Sequence, residues 1–220
     1  MAKKKSFAVI GLGRFGSSVA ATLFQLGHDV IAVDREMEQV NDIIDHVTQA
    51  VQMDTTDERA LRKLSLGDLD GVIISMGDDI RASILTTVLC KEQGAKTLIC
   101  KASDDLHAKL LIKTGADKII MPERDSGMRL AQSLSSENVL DFLELSDSYS
   151  ISEMKIPSAW AGKSLREIDV RAKYGVSIIA IKRTESILLA LNAGDQLKQG
   201  DLLIMIGANK DLKRIGELPA

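Results

Sequence analysis

The sequence predicts an α/β protein, a doubly wound parallel sheet followed by a smaller α+β unit, and three observations carry that expectation. Short apolar runs alternate with helix-period stretches from residue 6 to about 122, the pattern of a parallel sheet covered on both faces. The units recur about every 20 to 25 residues, the length of a strand, a helix and two short loops. Beyond Pro122 this rhythm stops.

The apolar runs place strands at 6–10, 29–33, 48–51, 71–75, 97–101 and 118–120. Between them, apolar residues at helical spacing place helices at about 14–26, 36–45, 56–64, 79–93 and 104–113. Gly27, Gly67, Gly94 and Gly115 fall just past four of these helices, where a left-handed backbone is cheapest for glycine. Residues 126–145, with Met128, Leu130, Leu134, Leu140 and Phe142, read as one amphipathic helix or two short ones broken around Ser135-Ser136. The remainder predicts strands at about 151–156, 176–182, 186–190 and 201–206, with helices near 164–168 and 209–216. The expected division is therefore 1–125, a connecting helix over 126–145, and 146–220.

Composition narrows the function. With 45% apolar and 27% charged residues, the chain has the balance of a soluble protein with a sizeable core. Its longest apolar runs stop far short of the ~20 residues of a membrane-spanning helix. The start, Met1-Ala2-Lys3-Lys4-Lys5-Ser6, leads directly into a strand pattern without a signal peptide's apolar segment, so a cytoplasmic protein is expected. Cys90 and Cys100 sit in apolar segments and read as reduced core thiols. A net charge of −3 with 3% aromatics argues against a nucleic-acid surface, which needs a basic stripe or a stacking platform.

Gly11-Leu12-Gly13-Arg14-Phe15-Gly16 follows a strand and opens a helix, the context that gives a GxGxxG string its meaning. The first glycine permits the turn, the second lets a diphosphate approach, and the third lets helix and strand pack. Amides at the helix start favour phosphate. Asp34 ends the second strand, where a carboxylate accepts from ribose hydroxyls and repels a 2′-phosphate. These residues predict a Rossmann-like site for an adenosine nucleotide. They leave NAD, ATP, ADP and AMP open, because all share the ribose and adjoining phosphate.

Arg14 adds charge inside the phosphate loop that a dinucleotide does not require, which favours a triphosphate. Asp54, Met76-Gly77 and Lys101 close further strands at the edge where open α/β sheets bind ligands. Glu123 follows the sixth strand, placed to hold a cation against phosphates or to cap a helix beginning at 125–126. Dehydrogenase chemistry needs an acid/base group beside the nicotinamide, yet His28, His46 and His107 are scattered and read as surface or helix-end residues. A non-enzymatic protein is expected.

The ordered set of Phe7–Gly16, Ala82-Ser83-Ile84-Leu85-Thr86-Thr87, Lys113-Thr114-Gly115-Ala116-Asp117, Pro122-Glu123-Arg124-Asp125, Asn138-Val139-Leu140-Asp141 and Arg171-Ala172-Lys173-Tyr174-Gly175 resembles the KtrA/TrkA family of gating subunits of bacterial potassium transporters. The resemblance covers essentially the whole chain. It implies an RCK_N domain binding ATP or ADP, a crossover helix and an RCK_C domain. It also implies a homo-octameric ring of dimers at the inner face of the membrane, docked on a potassium-translocating subunit of the KtrB/TrkH kind. Carried over by motif, Arg14 reaches the γ-phosphate of ATP bound in the neighbouring subunit, Asp34 holds ribose, and Glu123 helps bind Mg2+, Ca2+ or Na+ near the phosphates.

The expected nucleotide set is Gly11, Gly13, Arg14, Phe15, Gly16, Asp34, Arg35, Asp54, Thr55, Met76, Gly77, Lys101 and Glu123. Relatives also bind cyclic di-AMP in the carboxyl-terminal module, and Val170, Arg171 and Ile178 match part of that pattern. The chain departs from it at Ala190-Leu191-Asn192-Ala193, where relatives carry prolines, so an unliganded dimerising module stays open. A second departure is Asp78-Asp79, whose extra charge near phosphates calls for a compensating cation. The rival readings are a small NAD(H)-dependent oxidoreductase and an NAD(H)-sensing TrkA-type module.

Overall fold

The computed structural model describes residues 3–134, 138–146, 148–184 and 186–219. The chain divides into two compact units, Met1–Pro122 and Glu123–Ala220. The first is built on β1 (Ser6–Ile10), β2 (Asp29–Asp34), β3 (Gln49–Gln52), β4 (Gly71–Ile74), β5 (Leu98–Lys101) and β6 (Lys118–Ile120). Each lies within one residue of its expected limits. The strands pair in parallel in the order β3-β2-β1-β4-β5-β6, so the direction of winding reverses between β1 and β4. That reversal opens a crevice at the carboxyl ends of the two strands.

The connecting helices are α1 (Arg14–Gln25), α2 (Met37–Ile43), α3 (Glu58–Leu61), α4 (Ile80–Glu92) and α5 (Asp105–Thr114). The expected helices at 36–45 and 56–64 are shorter than the pattern suggested, each finishing in a 3-10 turn, at Ile44–His46 and Arg62–Leu64. Alternate residues of β1 serve opposite faces of the sheet. Val9 packs with Ala20, Val30, Val40 and Ile73 on one side, and Ala8 and Ile10 pack with Leu61, Val72, Leu98 and Leu111 on the other. Cys90 and Cys100 are free thiols buried in that second layer. Burial pushes them up to about 12 and about 11, which keeps them protonated and inert.

Three of the four expected glycine stops have a left-handed backbone, with φ of 87° at Gly27, 81° at Gly94 and 114° at Gly115. Gly67 does not. It lies inside a 3-10 turn, Leu66–Asp68, and the left-handed position after the preceding turn is taken by Ser65 at φ 51°. The left-handed stop stands at Ser65, ahead of the expected glycine.

The second unit carries an antiparallel sheet in the order β10-β9-β11-β8-β7. Its strands are β7 (Val139–Ser146), β8 (Tyr149–Lys155), β9 (Ser177–Arg183), β10 (Ser186–Leu188) and β11 (Leu202–Ala208). Helices α6 (Pro122–Leu134), α7 (Leu165–Ile168), α8 (Val170–Tyr174) and α9 (Asn209–Gly216) complete it. Met154, Trp160, Ile168, Val176, Ile181, Leu203, Met205 and Leu212 form its core.

Here the expectation of helix throughout 126–145 fails. The helix starts earlier, at Pro122, a residue suited to the first helical position, and runs to Leu134. Val139–Ser146 is an edge strand of the second sheet, and the whole of the expected connector falls within the second unit. The expected break at Ser135-Ser136 lies outside the described residues. The motif residue Asn138 clamps the end of the unit, its Nδ2 donating to the carbonyls of Gly216 at 3.1 Å and Leu218 at 2.6 Å.

Candidate functional site

The glycine loop is shaped by contacts that differ at each glycine. Gly11 has φ 89°, and its N–H donates to Val33 O at 2.8 Å. A Cβ there would stand 3.0 Å from Met76 Cγ and 3.1 Å from the Ser75 carbonyl carbon. At Gly16 a Cβ would fall 1.8 Å from Gly11 O, so the fold admits only glycine. Gly13 is different: it is exposed, its φ is −63°, and a Cβ would meet nothing within 4 Å. Nothing within the chain requires a glycine at 13. Open space in front of its backbone is what an approaching diphosphate needs.

Leu12, between the first two glycines, is buried among Val9, Ala20 and Val30 and anchors the loop from below. Ser17 Oγ donates to Leu12 O at 2.6 Å. Helix α1 begins on Gly13 with no side-chain cap and no acid in its first turn. By contrast, α4 and α5 are capped by Asp79 and Asp104. The first amides of α1 are thus left to an outside acceptor, in the partial positive field of the helix end.

These groups open onto a cleft of about 490 Å³ that also takes in Asp34, Arg35, Asp54, Thr55, Thr56, Met76, Gly77, Asp78, Asp79 and Ala82. That size suits a nucleotide. A shallower hollow of about 540 Å³, around Arg62, Ser65, Gly67 and Gln93, lies at the other end of β4, away from the edge where such sheets bind ligands.

Asp34 accepts from Leu12 N–H at 2.6 Å through one carboxylate oxygen and from Glu36 N–H at 2.9 Å through the other. It therefore shapes the glycine loop as well as facing the cleft, and ribose hydroxyls would use its remaining lone pairs. Arg14, the first residue of α1, is exposed on the cleft and forms no ion pair with the described residues. Its guanidinium is available to a ligand. Arg35 pairs with Glu36 at 3.1 Å and Asp79 at 3.7 Å.

Asp54 accepts from Thr56 Oγ1 at 2.6 Å and Thr56 N–H at 2.9 Å. These bonds, with the nearby Arg35 charge, hold its carboxyl below the ordinary value. Thr55 is turned inward, its Oγ1 3.0 Å from Thr86 Oγ1. The Lys101 side chain runs beside Gly77, where a Cβ would stand 3.3 Å from its Cε and 3.4 Å from its Nζ. The cleft wall holds five carboxylates, Asp34, Glu36, Asp54, Asp78 and Asp79, against the guanidinium groups of Arg14 and Arg35. Asp79 is accounted for structurally, since its Oδ1 caps α4 through Ala82 N–H at 3.0 Å.

Other expected positions stand apart. Phe15 is half-buried on α1 and does not line the cleft. Glu123 lies in the first turn of α6, in the second unit, and not ahead of a helix starting at 125–126. Among the described residues no three His, Cys, Asp or Glu side chains gather as a metal centre. Val170 and Ile178 pack into or against the core of the second unit, and Arg171 is exposed. His107 is a helix-end residue but not a surface one: it is 1% exposed, and burial lowers its tendency to protonate. Sequence reasoning missed Thr56, which fixes Asp54, and Thr86, which carries no motif for nucleotide binding.

A TrkA-N domain model matches residues 7–122 and a TrkA-C domain model matches residues 151–219. The chain is 46% identical to Ktr system potassium uptake protein C of Bacillus subtilis (strain 168), over 96% of each chain. It is 39% identical to Ktr system potassium uptake protein A of Vibrio alginolyticus, over 94% of each. Among solved structures, the GsuK RCK domain matches 99% of this chain with a TM-score of 0.68 at 19% identity, the match spanning 49% of that longer chain. The GsuK channel bound to NAD gives a TM-score of 0.70 at 17% identity, over 100% of this chain and 40% of that one; identities this low show the shared fold alone. No helix among the described residues is long and apolar enough to cross a membrane. The domain matches and the full-length identities place the chain in the TrkA-N/TrkA-C family, beside the Ktr potassium uptake proteins.

Proposed function

We propose that the chain is a non-enzymatic, cytoplasmic regulatory subunit of a potassium uptake system, switched by ATP against ADP in the cleft of its first unit. Its working form is a ring, an octamer of paired subunits, docked on a membrane potassium-translocating partner of the KtrB/TrkH kind. Identity with Ktr proteins over nearly the whole chain supports the role. The observation that carries the switch is Arg14, an exposed guanidinium at the start of an uncapped helix that forms no ion pair with the described residues. A group that senses the third phosphate gives ATP and ADP different affinities, and differential affinity is what lets a ligand shift a conformational equilibrium. About 1.4 kcal/mol per site changes the ratio tenfold, multiplied over several sites in a ring.

No bond need be broken for this. A cation (Mg2+, Ca2+ or Na+) at Glu123 would need oxygens from outside this chain to complete its coordination, since the described side chains do not form a metal centre alone. Cyclic di-AMP, a second ligand, would meet Arg171 on the surface of the second unit.

Calorimetric titration with ATP, ADP and NADH tests the reading. ATP is expected to bind about tenfold tighter than ADP, and Arg14→Ala to bring the two within about twofold. Tight NADH binding that ignores Arg14→Ala would replace this reading with an NAD(H)-responsive one.

A further inference from the structure

The α4 segment Ala82-Ser83-Ile84-Leu85-Thr86-Thr87 buries three hydroxyl side chains completely, those of Ser83, Thr86 and Thr87. A hydroxyl inside a helix commonly returns to the carbonyl four residues back. Thr87 does so, donating to Ser83 O at 2.7 Å. Its neighbour Thr86 instead meets Thr55 Oγ1 at 3.0 Å, a residue 31 positions away in sequence. The helix itself does not need that bond.

Thr55 is 5% exposed and stands in the wall of the cleft. The turn around it is held at both ends: Met53 N–H donates to Asp34 O at 2.8 Å, and Asp54 accepts from Thr56. In its middle, the Thr86 contact is the side-chain bond joining this turn to α4. The first turn of α4 meets the same cleft through Asp79 and Ala82. The Thr55–Thr86 pair therefore ties two walls of the cleft together, and Thr55, which follows β3, lies across β2 and Asp34 from the strand that leads into α1.

We propose that Thr86 is a positioning residue for the adenosine end of the cleft, fixing Thr55 and its turn at the distance from α4 that the nucleoside requires. This rests on the nucleotide-binding reading above and assigns its base-side geometry to a residue that does not line the cleft. Removing the Thr86 hydroxyl leaves the buried Thr55 hydroxyl without its partner, and the turn must move to satisfy it. The adenosine moiety is common to ATP, ADP and AMP, so all three lose affinity by the same factor. Arg14 acts at the other end and changes their ratio.

The test is calorimetry on the full chain with ATP, ADP and AMP. Thr86→Val keeps the shape and removes the hydroxyl; Thr86→Ser keeps the hydroxyl. Thr86→Val is expected to weaken each nucleotide by about tenfold with the ATP-to-ADP ratio unchanged, and to speed amide exchange over residues 53–57. Thr86→Ser is expected to stay within about twofold of the parent. Thr55→Val, the other half of the pair, is expected to repeat the uniform loss and serves if Thr86→Val does not fold. Parent-like binding by either valine variant, or a loss confined to ATP, overturns the proposal. If the parent binds no adenylate, the nucleotide reading itself fails, a different outcome from a parent that binds and a variant that binds equally.

Discussion

The two sheets of this chain expose different parts of themselves. In the first unit β4, Gly71–Ile74, is buried along its whole length, because helices cover both faces of a parallel sheet. Only strand ends and the loops leaving them can meet a ligand. In the second unit β8 alternates, with Ser150, Ser152 and Met154 buried, Ile151 and Glu153 between them half-buried, and the end residues Tyr149 and Lys155 exposed. One face packs on its core and the other is left more open, as in antiparallel sheets generally. Recognition in the first unit must therefore be built from backbone at an edge, which is why single glycines matter so much there.

The largest test of that contrast is within one loop. Gly16→Ala puts a methyl on Gly11 O and is expected to cost the first unit about 3 kcal/mol or more, at the upper end for overpacking. Gly13→Ala is expected to change stability by less than about 0.5 kcal/mol while weakening nucleotide binding. Thermal unfolding and calorimetry separate the two; equal stability losses would show that neither glycine is kept for a ligand.

In the second unit, Leu203→Ala removes a fully buried side chain paired in register with Met154 and Ile181. A loss of about 2–5 kcal/mol is expected. It should appear in the unfolding of that unit and leave adenylate binding by the first within about twofold. A parallel loss of binding would mean the units do not act independently.

A smaller loss than that at Leu203 is expected at Asp117, which accepts from Lys91 Nζ at 2.9 Å and from Leu98 N–H at 2.7 Å. Those bonds, Lys91 first, hold its carboxyl below the ordinary value. A lowered folded value stabilises above the unfolded pKa of about 3.9 and is lost as pH falls through the folded one. Asp117→Asn is expected to cost about 1 kcal/mol at neutral pH, less below pH 3, as followed by denaturant titration at the two pH values. The ion pair is exposed and contributes little.

The legibility of the chain follows the same contrast. Most strands of the first unit were readable to within a residue because short apolar runs flanked by glycines or helix-period stretches have few alternative readings; β3, Gln49–Gln52, has only Ala50 and Val51 as its apolar signal. The three loop glycines, Asp34 and Arg14 were readable because their spacing carries a mechanism. β7 was not readable. Its register shifts near Leu140 and Leu145 each add a residue, so Val139, Leu140, Phe142, Leu143 and Leu145 lose strict alternation and imitate helical spacing. α8 was not expected at all: the helix read near 164–168 is followed after the left-handed Asp169, at φ 47°, by a second short helix, Val170–Tyr174. In the cleft, the double engagement of Asp34 and the Thr55–Thr86 contact join residues distant in sequence, and no local pattern announces them.

The pairing of β1 with β4 has a consequence for how the protein is made. Of the six strands of this sheet β1 is made before the others, yet one of its two neighbours is synthesised roughly sixty residues later. Until then one edge of β1 lacks its partner, and such an apolar edge invites mispairing. With non-local pairing at the centre of the sheet, the first unit is expected to assemble slowly for its size, and its nascent chain is the stage at which a chaperone would be of most use.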